Sequence, residues 1–309
     1  MDNNVPKNVF FSRSTQLYLT LDNISIKQFI LKRLQEIIVI YQTKNCISQD
    51  DHQIISSLSD KIILQESPDN SFLVYSSAIA FPLANLFNLR SRQVAEDLVS
   101  LLASNSPYSP EEGSPSLRMR INQKGLIEFA FCDRSIGRWL ECLGRRGNGE
   151  TGRWGEWGDG EMGRLGRARS LARGGDLNWF PVQYVHNRCC SLLRLGASEG
   201  LIKLNKTWQI TNPNPFQHYW DKNIGYRYEP TEINLLHQIS LVIDYMSDRN
   251  SQVSKTWWLL NLNLSDACLK FIAACRIFGS VSRNQRSLAI ARLGLIAIVR
   301  SCLQRVILE

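Results

Sequence analysis

The sequence predicts a mainly α protein, with a small α+β domain near the N-terminus and an all-α helical bundle at the C-terminus. Three observations carry that expectation. Apolar residues recur at helical spacing over most of the chain. One stretch, Leu117 to Phe131, alternates with the two-residue period of strands. A glycine-rich segment, Gly144 to Gly175, breaks both patterns and divides the chain.

The first helix is expected over Ile24 to Tyr41, where Ile26, Phe29, Ile30, Leu34, Ile37 and Ile38 share one face; Asp22 or Ser25 can cap it. A second helical pattern runs from Ser76 to Phe87 and contains Pro82. A third begins after Ser91 and puts Val94, Leu98, Leu101 and Leu102 on one side. The alternating stretch then turns at Asn122 to Gly125. Residues 24–143 therefore read as one α+β domain behind an extension of residues 1–23. Downstream, Asn178 can cap a helix to about Leu195 with Pro181 in its first turn and Val182, Val185, Cys189, Leu192 and Leu193 as its inner stripe. Further helices fit Thr231 to Met246, Lys255 to Phe278 and Ser282 to Leu308, and a loop-rich stretch runs from Thr207 to Tyr228. Residues 178–309 read as the bundle.

Between the two lies a low-complexity linker, residues 144–177. Gly144 to Gly175 holds eleven of the nineteen glycines, seven arginines and four acids, so it carries +3 of the +8 net charge. Unpatterned glycine contributes no core and adds backbone entropy that folding must overcome, so disorder is expected. Gly158, Gly160 and Gly163 spell G-x-G-x-x-G, yet repeats flank them instead of a strand and a helix, and the match reads as chance.

Composition excludes several classes. With 309 residues, 44% of them hydrophobic, and eight Trp, nine Tyr and twelve Phe, the chain is too apolar for a solvated coil. The densest apolar run, Leu293 to Val299, is far short of the roughly 20 residues of a membrane span. Met1 to Asp22 lacks the charged and apolar regions of a signal peptide, so a cytoplasmic protein without a membrane partner is expected. The eight cysteines include no C-x-x-C pair and read as buried free thiols. No spacing suggests a metal or a cofactor, and no nucleophile signature suggests a catalytic residue. His186 lies close to Cys189 and Cys190, but no further ligand converges there; a buried, hydrogen-bonded histidine is the expectation.

Tyr184, Arg188 and Ser191 lie at i, i+4 and i+7, so they share one helix face. Two readings stay open: a stacking and phosphate-binding surface for an unpaired RNA loop, or a packed tyrosine beside a solvated arginine. For Trp257-Trp258 the neighbouring leucines favour core packing. Arg283, Arg286, Arg292, Arg300 and Arg305 form either a solvated helix face or a phosphate-facing stripe.

The stretch Phe180-Pro-Val182-Gln183-Tyr184-Val-His186-Asn-Arg188-Cys-Cys-Ser191-Leu-Leu-Arg194 resembles the opening helix of the anticodon-binding (DALR) domain of arginine–tRNA ligases, V-Q-Y-A-H-A-R followed by S-[IL]-x-R. Lys270-Phe271 with Cys275-Arg276-Ile277, and Arg292-Leu293-Gly-Leu295, resemble later motifs of the same domain in the same order. Upstream, Ala80-Phe81-Pro-Leu83-Ala84, Gln93-Val94-Ala95-Glu96-Asp-Leu98 and Lys124-Gly125-Leu126-Ile127-Glu128-Phe129 resemble the family's N-terminal additional domain. The family's class I catalytic domain sits between these units, and neither its H-x-G-H nor its K-M-S-K-S signature occurs in this sequence. The resemblance thus implies a non-catalytic tRNA-binding protein. Its partner would be tRNA, an arginine tRNA by family, contacted through Gln183, Tyr184, Arg188, Ser191, Arg194 and Phe81. It would need no cofactor. The alternatives are a protein-interaction module that pairs with a full-length synthetase, or a ligase whose activity needs a separate catalytic chain.

Overall fold

The computed structural model describes residues 16–18, 25–44, 62–66, 73–105, 116–131, 133–146, 178–217, 228–247 and 255–307. The rest of the expected linker, residues 147–177, and the extension apart from residues 16–18 lie outside them. The observed class is the expected one: mainly α, with a small antiparallel sheet near the N-terminus and a C-terminal group of helices.

In the N-terminal half, strands β1 (Gln16–Tyr18), β2 (Leu64–Glu66), β3 (Val74–Ser77), β4 (Ser116–Ile121) and β5 (Ile127–Phe131) form one sheet in the order β1-β4-β5-β3-β2, antiparallel throughout. Helix α1 (Ile26–Lys44) begins where Ser25 Oγ accepts from the Gln28 backbone N–H at 3.0 Å, the cap that the sequence offered. It packs against α3 (Ser91–Ser104), which in turn lies on β4 and β1. Every apolar residue expected on the α1 face is buried. The expected turn is present too: Asn122 Oδ1 accepts from the backbone N–H groups of Lys124 and Leu126, both at 3.0 Å, and Gly125 takes a φ of 82°.

One expected helix starts later than its pattern suggested, because Ser76 and Ser77 belong to a strand. Residues 74–77 pair with both β5 and β2, and α2 spans only Ala80–Phe87. Two-sided ladder bonding outweighs the apolar pattern that read as helix. The shift also accommodates Pro82, which falls in the first turn of α2, where its missing N–H would have had no helical partner.

A helix that the sequence reading did not anticipate follows: α4, Asp133–Arg146. It buries Ile136, Trp139, Leu140 and Leu143, one face at i, i+3, i+4 and i+7, and its end includes Gly144 from the glycine-rich segment. A Cβ at Gly144 would lie 2.8 Å from the Phe216 ring, so a side chain there would clash with the loop that carries Phe216.

The C-terminal half contains α5 (Phe180–Ser198), α6 (Pro230–Ser247), α7 (Lys255–Ala274), the short α8 (Ser280–Asn284) and α9 (Arg286–Ile307). The helix expected from Ser282 is thus two, separated at Gln285. The group is not wholly helical: β6 (Lys203–Leu204) and β7 (Ile210–Asn212) form a small hairpin inside and just before the stretch expected to be loop. Helix α9 is long and apolar enough by composition to cross a membrane, but most of it is buried inside the protein, as befits a central core helix. Helix α5 crosses it at Gly196, where a Cβ would meet Leu293 Cδ1 at 2.7 Å. Of the six cysteines among the described residues, five are buried.

The two halves share one continuous apolar core. They are also joined by a polar lock. Asp244 of α6, buried, accepts from Ser25 Oγ at 2.6 Å, Tyr75 Oη at 2.7 Å and the Lys27 backbone N–H at 3.3 Å. Beside it His237 Nε2 lies 3.3 Å from Glu66 Oε2. At the other side Asn214 Nδ2 donates to Glu141 Oε1 at 2.9 Å, tying α4 to the loop after β7. These contacts join the halves through described residues alone. We expect replacement of residues 147–177 by a Gly/Ser stretch of equal length to move the melting temperature by no more than about 3 °C, well under the effect of 1 kcal/mol in a small domain. A drop of many degrees would show that the segment belongs to the core.

Candidate nucleic-acid interface

Helix α5 separates its two faces cleanly. Val182, Val185, Cys189, Leu192 and Leu193 are buried against α7 and α9, as their spacing demanded. The start is fixed by Asn178, whose Oδ1 accepts from the Phe180 backbone N–H at 3.0 Å, with Pro181 in the first turn. Gln183, Tyr184, Arg188, Ser191 and Arg194 are all exposed, so five of the six residues singled out in the sequence share the open side of one helix.

Tyr184 is 52% exposed, which excludes the packed-tyrosine reading. Its ring stacks on that of Phe180, 68% exposed, with centroids 6.4 Å apart and planes 25° from parallel. Two large apolar rings held side by side in water form a platform of the kind on which unpaired bases stack. Phe180 was visible in the sequence only as the first letter of a motif. Its exposure follows from its place before the first buried position of the stripe, Val182.

One turn on from Tyr184, Arg188 has no carboxylate partner among the described residues. Ser191 turns its hydroxyl back into the helix, donating to the Asn187 carbonyl at 3.0 Å. Arg194 packs over the Trp208 ring of the β6–β7 hairpin, its guanidinium carbon 4.7 Å from the ring centroid. Phe81 belongs elsewhere. It is half-buried on α2, where its ring covers the β4–β5 turn at Gly125.

The other candidates are corrected in part. His186 is half-buried and hydrogen-bonds the Asn187 side chain, while its Nε2 is buried with no hydrogen-bond partner among the described residues. Burial, and next the nearby Arg300 charge, hold its pKa below the ordinary imidazole value. Trp257 is buried and stacks on Tyr245 at 5.5 Å, the core role expected of it. The four C-terminal arginines with described side chains form neither a solvated face nor a stripe. Arg283 and Arg286 are exposed, and they donate to the carbonyls of Gly279 and Gly200. Arg292 is buried and donates from Nη1 to the Arg276 carbonyl at 2.6 Å, and Arg300 is buried beneath Trp208. Charge alone suggested solvent; the helix turn on which each sits decides otherwise. The Arg305 side chain lies outside the described residues. No group of three or more His, Cys, Asp or Glu gathers with metal-site geometry among the described residues.

Residues 26–114, from the first residue of α1 past the end of α3, match the family model described as the arginyl tRNA synthetase N terminal domain. That match relates the N-terminal half of the chain to arginyl-tRNA synthetases. No curated protein and no solved structure matches the chain.

Proposed function

We propose that this chain is a non-catalytic tRNA-binding protein related to arginine–tRNA ligase, which grips the anticodon loop through a DALR-like bundle, residues 178–309, and acts in the cytoplasm. The observation that carries the reading is the exposed Phe180–Tyr184 ring pair with Arg188 one turn beyond it. Stacking rings beside a guanidinium with no carboxylate partner among the described residues suit single-stranded RNA, whose bases are splayed and whose phosphates need cations. Two further facts support it. The family match at residues 26–114 lies upstream of the α5 motif, the order of the two domains in the full synthetase. The net charge of +8 also favours a polyanion.

Adenylation requires groups that bind and align ATP, arginine and the terminal ribose. Neither H-x-G-H nor K-M-S-K-S is present to supply them, so the protein itself transfers no amino acid. A filter-binding titration with an arginine tRNA, against an RNA duplex of equal length, tests the proposal. Preference for tRNA is expected, together with no arginine-dependent ATP–pyrophosphate exchange. Equal binding to both RNAs would leave the exposed α5 face as a protein-docking surface, with a full-length synthetase as the candidate partner. Exchange above background in repurified protein would overturn the non-catalytic reading.

A further inference from the structure

Helices α5 and α9 and the β6–β7 hairpin meet around Trp208, and the groups gathered there are cations and unmet donors. The guanidinium carbons of Arg194 and Arg300 lie 4.7 Å and 5.0 Å from the Trp208 ring centroid. The ring is held in place by a built turn. Asn205 Oδ1 accepts from the backbone N–H groups of Thr207 and Gln209 at 3.0 Å and 2.9 Å, and Trp208 itself takes the left-handed φ of 67°. Backbone strain at a non-glycine residue persists only where its surroundings enforce it, and such places concentrate at functional sites.

Arg300 is 4% exposed, and its Nε is buried without a hydrogen-bond partner among the described residues. Among the described residues no carboxylate pairs with Arg194 or Arg300. A guanidinium withdrawn from water without a counter-charge keeps its desolvation penalty until an anion meets it. The forked donors of arginine fit phosphate oxygens.

We propose that the two guanidinium groups around Trp208 bind a phosphate, and that the occupant in the RNA complex is a backbone phosphodiester a few nucleotides from the bases stacked on Phe180 and Tyr184. The separation follows from helix geometry, since Tyr184 and Arg194 lie about 15 Å apart along the α5 axis. The RNA half of the proposal rests on the tRNA-binding reading above; the phosphate half does not.

The test uses the full chain. Circular dichroism melts in inorganic phosphate are compared with melts in sodium chloride of equal ionic strength, for wild type, Arg300→Met, Arg194→Gln and, as a control, Lys270→Gln, whose charge is paired with Asp266. Phosphate is expected to raise the wild-type and control melting temperatures and to lose that effect in the two arginine variants. In tRNA titrations over a salt series, each arginine variant should flatten the slope of log Kobs against log salt by about 0.7 to 0.9, one phosphate contact. Arg194 is exposed, so its variant carries the test if Arg300→Met fails to fold. If phosphate leaves the wild-type melt unchanged while tRNA still binds, the arginines around Trp208 form no anion site and the tRNA reading survives. If phosphate binds but the salt slope stays at its wild-type value in both variants, the site takes free phosphate and the RNA assignment is overturned. If wild type binds phosphate but not tRNA, the proposed function fails and the RNA half of this proposal goes with it.

Discussion

Replacing Asp244 with Asn is expected to remove about 3 kcal/mol of pH-dependent stability between pH 4 and pH 7. The carboxyl is buried in the lock between the two halves, and burial pushes its pKa up from the ordinary 3.8 to about 6. The donors from Ser25, Tyr75 and the Lys27 backbone pull in the opposite direction without cancelling that penalty. Between pH 4 and 6 the folded state therefore holds this proton more firmly than the unfolded chain does. Its contribution to stability is present in full below about pH 4 and is lost as pH rises through about 6. Two neighbours titrate as well. Burial raises Glu66, which adds to the same trend, and lowers His237, which opposes it. The difference between wild type and Asp244→Asn isolates the one carboxyl, because the amide keeps the shape and an oxygen for Ser25 or Tyr75. Urea unfolding at a series of pH values gives the measurement. Wild type should gain on the variant by about 3 kcal/mol as pH falls from 7 to 4. A difference that stays constant across that range would show that Asp244 titrates as an ordinary surface carboxylate.

Tyr184→Ala is expected to weaken tRNA binding by about 5- to 150-fold, the equivalent of roughly 1–3 kcal/mol for one stacked base. Phe180→Ala should fall in the same range, since its ring completes the platform. Tyr184→Phe keeps the ring and should bind nearly as wild type does. Arg188→Ala should weaken binding and flatten the salt dependence by about one phosphate contact. Truncating Tyr184 is a clean experiment because half of the side chain is already in water, so no cavity opens in the core. Circular dichroism melts verify that each variant is folded. Wild-type affinity in folded Tyr184→Ala and Phe180→Ala would mean that bases do not stack on this face.

Elements that bury one continuous stripe were legible in the sequence. The inner faces of α1, α3 and α5 are the ones that their spacing indicates, and the β4–β5 hairpin declares itself through Asn122 and Gly125. Short strands were not. β3 owes its conformation to ladders on both sides, one with β5 about fifty residues on, which no local pattern records, and the strands of the β6–β7 hairpin are too short to show a period. Helix α4 was hidden by its neighbour: the stripe from Ile136 to Leu143 runs straight into glycine-rich sequence that masks its end. The residues on the exposed face of α5 were grouped from a motif and their spacing, with burial of Tyr184 left open, whereas Phe180 needed the structure to show its ring in solvent. Arg292 and Arg300 show the limit most sharply, because burial of a cation depends on which helix covers it and not on its own chemistry.

Helix α4 is anchored on α9 and on the loop that carries Asn214 and Phe216, and α5 is anchored on the same α9. Both chain ends that border residues 147–177 are thus moored to one scaffold. Closing a flexible connection between fixed points costs entropy only as the logarithm of its length, so a tenfold longer connection adds about 2 kcal/mol. At this one seam the host fold is almost indifferent to cargo: a short tether and an entire inserted domain differ by less than many single core substitutions. An ancestor could shed a domain there, or a descendant acquire one, while the two flanking halves went on folding against each other as before.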